Sequence, residues 1–286
     1  MLKTGATRLQ ELQVIMQAAT LPITSGWSWI QDGLKLFKRQ PMAMFFWSLM
    51  TGFFITVSYI IPLLGQLALI ASTPLLTFIT LSACRNIAAG RPMLLPMWLE
   101  PLSDKATRKS LFGLGFAYMV CCLAGGFIAT LPFLDGMMSA IDAEGVINEQ
   151  ALLLAMRGPF ITFALIYVVI SALFWHAPAL IGWHRIKMTQ ALFFSMVACW
   201  RNKWPFLAYG VSWAAIFFAV QMVGSTMTSL GIPAGMVQIL LTPVNIVVAA
   251  VLYCSFYPAY ISVFGVNYPA ENHDDADGDK DTDNVL

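Results

Sequence analysis

Six long segments of the sequence are almost entirely apolar, and none has an Asp, Glu, Lys or Arg in its central part. An α-helix needs about 20 apolar residues to cross the hydrocarbon core of a bilayer, which is about 30 Å thick. Inside that core the backbone must satisfy its own hydrogen bonds, which restricts each segment to a helix. The sequence therefore predicts an all-α, polytopic membrane protein. The predicted spans lie near residues 42–61, 66–84, 110–134, 160–183, 206–227 and 236–264.

The composition also indicates a bilayer protein. Apolar residues make up 58% of the 286 positions and charged residues only 11%, less than half the usual share in soluble domains. The five cysteines lie in apolar or interfacial segments without CxxC spacing. We therefore interpret them as small hydrophobic residues and not as redox or metal centres.

The basic residues predict the orientation. All of the sixteen Lys and Arg except Arg157 lie in segments that share one side of the membrane, and positively charged loops are cytoplasmic. Both termini are therefore predicted to be cytoplasmic, and the six spans to form three hairpins whose tips face outward. One tip is the short turn from Pro62 to Gly65, and another carries acidic residues, among them Glu144.

Two segments have the pattern of amphipathic helices in the membrane interface, and each precedes a span. Residues 186–204 place apolar side chains, tryptophans included, on one half and cations on the other. Residues 27–39 place Trp27, Ile30, Leu34 and Phe37 on one face. Contacts with lipid headgroups or with a protein partner are predicted at Lys187, Trp200, Arg201 and Lys203.

Small residues also recur in the second of these helices. Ala191, Ser195 and Ala198 lie together on its polar half. They are interpreted either as a docking stripe for another protein or helix, or simply as good helix formers on a solvated face.

An internal repeat accompanies the hairpins. The motif Lys38-Arg39-Gln40-Pro41 before the first span resembles residues 201–205 before the fifth, and Thr73-Pro74 resembles Thr242-Pro243. Prolines inside spans free carbonyl groups and bend helices, so the second helix of each hairpin is predicted to be kinked or opened.

Three parts of the chain are predicted from these patterns. Residues 1–41 form N-terminal cytoplasmic and interfacial helices, residues 42–268 form the six-helix transmembrane domain, and residues 269–286 form a disordered acidic tail. The alternating aspartates of the tail faintly resemble a calcium loop, but the glutamate at position twelve and the flanking helices are missing.

Ionisable groups inside spans usually mark catalysis or coupled transport, because their burial is expensive. Only His176 lies inside a span, and His184 is two helical turns away, too far to share a metal ion. His176 is expected to hydrogen-bond a carbonyl freed by Pro178, with a proton relay as the alternative. No metalloprotease, nucleotide-binding or hydrolase motif occurs. No catalytic residue, cofactor or metal is therefore predicted, and the chain is not expected to be an enzyme.

Uncharged polar residues offer one further candidate, a solute-binding patch in the sixth span. Such residues usually hydrogen-bond between helices. Three of them lie within two turns of one another beside Pro243: Gln238, Thr242 and Asn245.

Residues 177–205 and 27–41 resemble a family of six-span bacterial inner-membrane proteins. The resemblance rests on a span ending in Ala177-Pro178, an amphipathic helix with Arg201-Asn202 near its end, and the opening from Trp27 to Pro41. The family is the YciC-like group, akin to the membrane anchor of some bacterial glycerophosphodiester phosphodiesterases. The resemblance implies a multi-pass location in the bacterial inner membrane and no established activity. The catalytic domain of the phosphodiesterases has no counterpart in this chain.

Two functions remain open at the level of sequence. One is a non-enzymatic protein that scaffolds or modulates a membrane partner, or a second copy of itself, through its cytoplasmic amphipathic helices. The other is a carrier or channel for a neutral or lipid-like solute. Membrane lipids are expected partners in both cases, and nucleic acid in neither.

Overall fold

The structure, a computed structural model, describes residues 18–140 and 148–265. Within these two ranges the regular secondary structure is helical and no strand occurs. Three short 3-10 turns join some of the helices, at Leu95–Trp98, Glu100–Leu102 and Leu131–Phe133. The α-helices are α1 (Ser25–Arg39), α2 (Pro41–Ile60), α3 (Leu64–Ala88), α4 (Lys105–Thr130), α5 (Leu134–Met138), α6 (Glu149–Ala155), α7 (Arg157–Phe174), α8 (Ala177–His184), α9 (Met188–Arg201), α10 (Lys203–Ser229) and α11 (Ala234–Phe264).

Six helical stretches are long and apolar enough to cross a membrane, which confirms the predicted number. Four of them are the helices α2, α3, α10 and α11. The third and fourth are longer than predicted, Lys105–Met138 and Glu149–His184, because short helices extend α4 and α7. The predicted acidic tail and residues 1–17 lie outside the described residues, so the division into three parts stays a prediction.

The fourth span is interrupted between α7 and α8. Pro178 lies in the first turn of α8, where its missing N–H would have had no helical partner. The other prolines predicted to open helices, Pro74, Pro243 and Pro258, lie inside α3 and α11, and these helices continue past them. Only one of the predicted openings is therefore a break in the helix.

Helix α1 packs along α10 and α11. A Cβ atom on Gly26 would meet the backbone of α10, and one on Gly33 would meet the backbone of α11. The buried Trp29 donates a hydrogen bond from Nε1 to Ser262 Oγ at 2.7 Å. Helix α1 is thus one of the packed elements of the bundle.

The buried face of α1 differs from the predicted one. Ile30 is buried as expected, but Trp27 and Leu34 are exposed. Glycines determine which face of α1 lies closest to the neighbouring helices. Because glycine has no side chain, it does not show in a pattern of hydrophobic residues.

Helix α9 packs against α7 through its small residues. Ala191, Ser195 and Ala198 are buried. The stripe interpreted as a docking surface for another protein therefore contacts a helix of the same chain, and it does not lie on a solvated face.

Ser195 satisfies backbone groups at the interruption of the fourth span. In an unbroken helix the N–H of His176 would bond to the carbonyl of Ala172, four residues earlier. Instead, the N–H of His176 donates to Ser195 Oγ at 3.0 Å, and Ser195 Oγ donates to Ala172 O at 2.8 Å. One hydroxyl from α9 thus bridges the opened hydrogen bond and satisfies both backbone groups.

Each of the two repeated motifs contributes one side-chain amide that holds a neighbouring backbone segment. Gln40 donates to Arg91 O at 2.6 Å and accepts from Met93 N at 2.9 Å. Asn202 donates to Ala19 O at 2.8 Å and accepts from Leu21 N at 2.9 Å. The weak sequence repeat therefore corresponds to a repeated function of two amides at the entrances to α2 and α10.

Candidate functional site

The residues predicted to contact a partner lie at both ends of α9. Lys187, Trp200, Arg201 and Lys203 are all exposed. Lys203 Nζ is 5.2 Å from the centre of the Trp200 ring, within cation–π distance. Arg201 Nη2 donates to Thr20 Oγ1 at 3.2 Å. Trp200, Arg201 and Lys203 thus lie together at the end of α9, whereas Lys187 lies just before its first residue, about 20 Å of helix rise away.

The predicted solute patch lies on the outer surface of α11. Gln238, Thr242 and Asn245 are exposed, and Thr242 Oγ1 donates to Gln238 O at 2.7 Å within the helix. None of the three lines the cavity that lies inside the bundle. Sequence proximity brought these residues together, but the structure does not enclose them.

A cavity of about 380 Å³ lies between α2, α3, α4, α7, α8 and α11. Its size falls within the usual range of small-molecule sites. Among the described residues, no Asp, Glu, Lys or Arg lines it. Aromatic side chains of α7, the break after it and α11 form part of the wall, and hydroxyl groups from several helices form the rest. The aromatic part consists of Phe174, Trp175, Tyr253, Phe256 and Tyr260.

Three threonines line the cavity along one face of α3. Thr73, Thr77 and Thr80 are spaced four and three residues apart, so they follow one another along the helix. Thr73 is exposed, Thr77 is half-buried, and Thr80 is only 3% exposed. The row therefore leads from the surface into the bundle.

Hydroxyl groups of α4 and α7 also line the cavity. Tyr118 Oη and Tyr167 Oη are 3.0 Å apart and share a hydrogen bond. Ser171, one turn after Tyr167, also lines the cavity, and its hydroxyl group makes no hydrogen bond to the described residues. Two tyrosine hydroxyls share one proton between them, so the other proton is free to be donated.

His176 lines the cavity at the break between α7 and α8. It is 1% exposed, and its Nε2 atom has no hydrogen-bond partner among the described residues. Its ring lies among Phe206, Tyr260 and Phe264, with ring centres 5.0–5.7 Å apart. The predicted hydrogen bond from this ring to the carbonyl freed by Pro178 is wrong, because the ring makes no hydrogen bond to the described residues. The hydroxyl of Ser195 satisfies a different carbonyl, that of Ala172.

The cavity opens on the side of the bundle. Its most exposed lining residues are Ile55 of α2 at 41%, Tyr167 of α7 at 40%, and Thr73 of α3. Thr73 and Tyr167 follow the first residues of their helices by nine and ten positions, or about 14–15 Å of helix rise. Ile55 lies five residues before the end of α2, about 8 Å of helix rise. All three residues belong to helical stretches long enough to cross a membrane, so the opening lies at a depth that the hydrocarbon core occupies.

One comparison decides the family. The chain is 30% identical over 265 residues to a protein of Burkholderia thailandensis named as a probable inner membrane protein, covering 89% of this chain and 96% of the relative. The chain belongs to the family of that protein. It is therefore a multi-pass inner membrane protein with six membrane-spanning helices. No family model matches the chain, and no solved structure matches it.

Charged groups of this inner membrane protein cluster at the ends of its spans. Arg185, in a left-handed backbone conformation, lies 3.4 Å from the carboxylate of Asp104. Asp104 caps α4, and hydrogen bonds from Thr107 and Ala106, with the charge of Arg185, lower the pKa of its carboxyl group. This pair connects the end of α8 to the start of α4 and leaves both charges outside the cavity.

The five cysteines of the inner membrane protein lie in different surroundings. Cys84, Cys199 and Cys254 are buried, and all five cysteines are free thiols. Burial raises the pKa of Cys199, in α9, to about 12, so its thiol stays protonated at neutral pH. In the described part of the chain no group of three His, Cys, Asp or Glu side chains could hold a metal ion.

Sequence reasoning missed most of the cavity. It singled out Thr73, Pro74, His176 and Pro178 as features of spans, but not as one site. Thr77 and Ser171 could not be predicted as site residues, because threonine and serine are common in membrane helices. The spacing of Thr73, Thr77 and Thr80 on one helical face was a signal that could have found one wall.

Proposed function

We propose that this inner membrane protein binds a neutral, lipid-like solute inside the helical bundle and carries it in the membrane without catalysing a reaction. The cavity of about 380 Å³, lined by hydroxyl and aromatic groups and by no Asp, Glu, Lys or Arg, is the observation that carries the proposal. Transfer of a charged molecule into such a site would bury its charge without a partner.

The same lining argues against an enzyme. A hydrolase or transferase needs a nucleophile, a base and groups that stabilise the developing charge, within hydrogen-bond reach of one another. His176 lines the cavity, but its ring packs among aromatic rings and no carboxylate lines the same space. We therefore infer a binding role for the cavity.

Native mass spectrometry of the protein, extracted into nanodiscs from its own membrane, tests this function. We expect the wild-type protein to retain an uncharged small molecule. Ser171→Phe fills the cavity and is expected to lose most of the bound molecule, because the new ring occupies its space. Thr242→Phe places the same ring on the exposed outer surface of α11 and serves as the matched control. Equal retention by both variants would place the molecule outside the cavity and contradict the proposal.

The surface of α9 supports a second candidate, the scaffolding of a membrane partner. Trp200, Arg201 and Lys203 are exposed side by side, as a protein or lipid contact would require. The same nanodisc experiment distinguishes the two functions. A stoichiometric second protein that is lost from the double variant Arg201→Glu and Lys203→Glu would favour the scaffold, whereas a retained small molecule unaffected by that variant favours the carrier.

We also infer the topology that the basic residues predict, with three hairpins and both termini in the cytoplasm. The exposed cations at the ends of α1 and α9 support it. An alkaline phosphatase fusion at Glu144 is expected to be active, because that enzyme matures only outside the cytoplasm. A fusion at Lys187 is expected to be inactive. The reverse pattern would show that the protein is inserted in the opposite orientation.

Kinship to the YciC-like group and to the membrane anchor of the glycerophosphodiester phosphodiesterases is part of the same proposal. Its support is the motif from Ala177 to Pro205 and the opening from Trp27 to Pro41. In this protein both segments form the elements that pack against the bundle, α8, α9 and α1. A shared structural framework therefore accounts for the resemblance without a shared activity.

A further inference from the structure

The side opening of the cavity limits where its ligand comes from. The most exposed lining residues are Ile55, Thr73 and Tyr167, which lie on three different helices and within stretches long enough to cross a membrane. In a bilayer this part of the surface faces acyl chains and not water. A ligand that passes between these residues is therefore already dissolved in the membrane.

The hydrogen-bonding groups of the cavity limit the chemistry of its ligand. Thr51, Thr73 and Thr77 donate their protons to carbonyls of their own helices, so each oxygen has lone pairs left to accept from a ligand. The hydroxyl groups of Ser171 and Tyr253 make no hydrogen bond to the described residues, so their protons are free to be donated. The unpartnered Nε2 of the buried His176 adds one more group.

These groups come from different helices around the cavity. The threonines lie on α2 and α3, whereas Ser171 and the Tyr118–Tyr167 pair lie on α7 and α4. A headgroup between them must both donate and accept hydrogen bonds, as a hydroxyl group does and an ester or hydrocarbon alone does not. A charged phosphate in the same place would lack a counter-charge.

We propose that the ligand is an uncharged, hydroxyl-bearing lipid whose headgroup enters through the side opening and binds between the threonines of α3 and the hydroxyls of α7. This inference rests on the proposed carrier function and names its substrate class. The cavity, at about 380 Å³, holds the headgroup and the first part of a chain. The rest of the chain remains among the membrane lipids outside Ile55 and Tyr167.

Titration of the detergent-purified protein, followed by native mass spectrometry, tests the substrate class with three probes. 1-Monooleoylglycerol carries two hydroxyls, methyl oleate carries none, and oleoyl lysophosphatidate carries a negative charge. We expect monooleoylglycerol to bind about tenfold more tightly than methyl oleate, as the loss of one or two hydrogen bonds implies. Lysophosphatidate is expected to bind more weakly than monooleoylglycerol.

Two variants connect the result to the cavity. Thr77→Val keeps the shape of the side chain but removes its hydroxyl, and it is expected to weaken monooleoylglycerol binding about fivefold and leave methyl oleate unchanged. Thr226→Val removes a hydroxyl with the same bond to its own helix, on the exposed surface of α10, and is the matched control. Ser171→Ala provides an independent second variant on α7.

The outcomes separate this inference from the carrier function. Equal binding of monooleoylglycerol and methyl oleate, or equal effects of Thr77→Val and Thr226→Val, would overturn the headgroup inference. A neutral molecule without hydroxyl groups that is retained in nanodiscs and lost from Ser171→Phe would then leave the carrier function standing. No retained molecule and no binding of any probe would reject both.

Discussion

Replacement of Gly115 by alanine is expected to destabilise the inner membrane protein by about 1–3 kcal/mol, the usual cost of overpacking. A Cβ atom on Gly115, in α4, would collide with the carbonyl oxygen of Ala71 in α3. A backbone atom cannot rotate out of the way as a side chain can, so the two helices would have to separate. The measurement is the unfolding of the purified protein in mixed micelles as the fraction of sodium dodecyl sulfate rises.

Gly113 provides a matched control on the same helix, two residues earlier. A Cβ atom there would meet no heavy atom within 4 Å. Gly113→Ala is therefore expected to be neutral, or to stabilise the helix by up to about 1 kcal/mol through its better propensity. Equal stability of the two alanine variants would show that α3 and α4 do not approach as closely as the structure describes.

Replacement of Asn202 by alanine is expected to destabilise the protein by about 2–4 kcal/mol. Asn202 is fully buried and makes three hydrogen bonds, to Ala19 O, Ala198 O and Leu21 N. Its loss leaves backbone groups of the segment before α1 without their partners, and each buried unsatisfied group costs about 1–3 kcal/mol. The thermal unfolding midpoint of the purified protein measures the effect.

Hydrogen exchange locates the same effect in the chain. The amide of Leu21 is expected to lose protection in Asn202→Ala, because Asn202 Oδ1 is its acceptor. The amide of Ala19 bonds to Val263 O and should keep most of its protection. Gln190→Ala removes an exposed amide from α9 and is expected to change stability by no more than about 0.5 kcal/mol. Unchanged protection of Leu21 in Asn202→Ala would contradict the assigned hydrogen bond.

The structure places the two predicted candidate sites in different surroundings. One needs only residues that are neighbours in sequence, whereas the other needs residues from several helices. Trp200, Arg201 and Lys203 are neighbours in sequence near the end of one helix, so local geometry alone brings them together. Gln238, Thr242 and Asn245 are also close along one helix, but a site needs walls from other helices. The structure leaves these three residues exposed on α11 and encloses a different set.

The cavity shows why a site formed by several helices cannot be predicted from the sequence. Thr77, Tyr118, Ser171 and Tyr253 come from four helices that are far apart in the chain. No local spacing relates them, and hydroxyl-bearing residues are common in membrane helices. His176 stands out in the sequence because an ionisable residue inside a span is rare. That rarity does not indicate which residues surround it.

The sequence by itself determined the membrane class, the six spans and the presence of a helix before α2 and before α10. These features follow from local hydrophobicity and helical periodicity, which need no knowledge of neighbouring helices. The tertiary structure alone decided which faces pack. Between membrane helices close approach depends on small residues such as Gly33, Gly115 and Ser195, not on hydrophobicity, because lipid is as apolar as the helix surface. The tertiary structure also determines the cavity, since the cavity is the space that the packed helices leave between them.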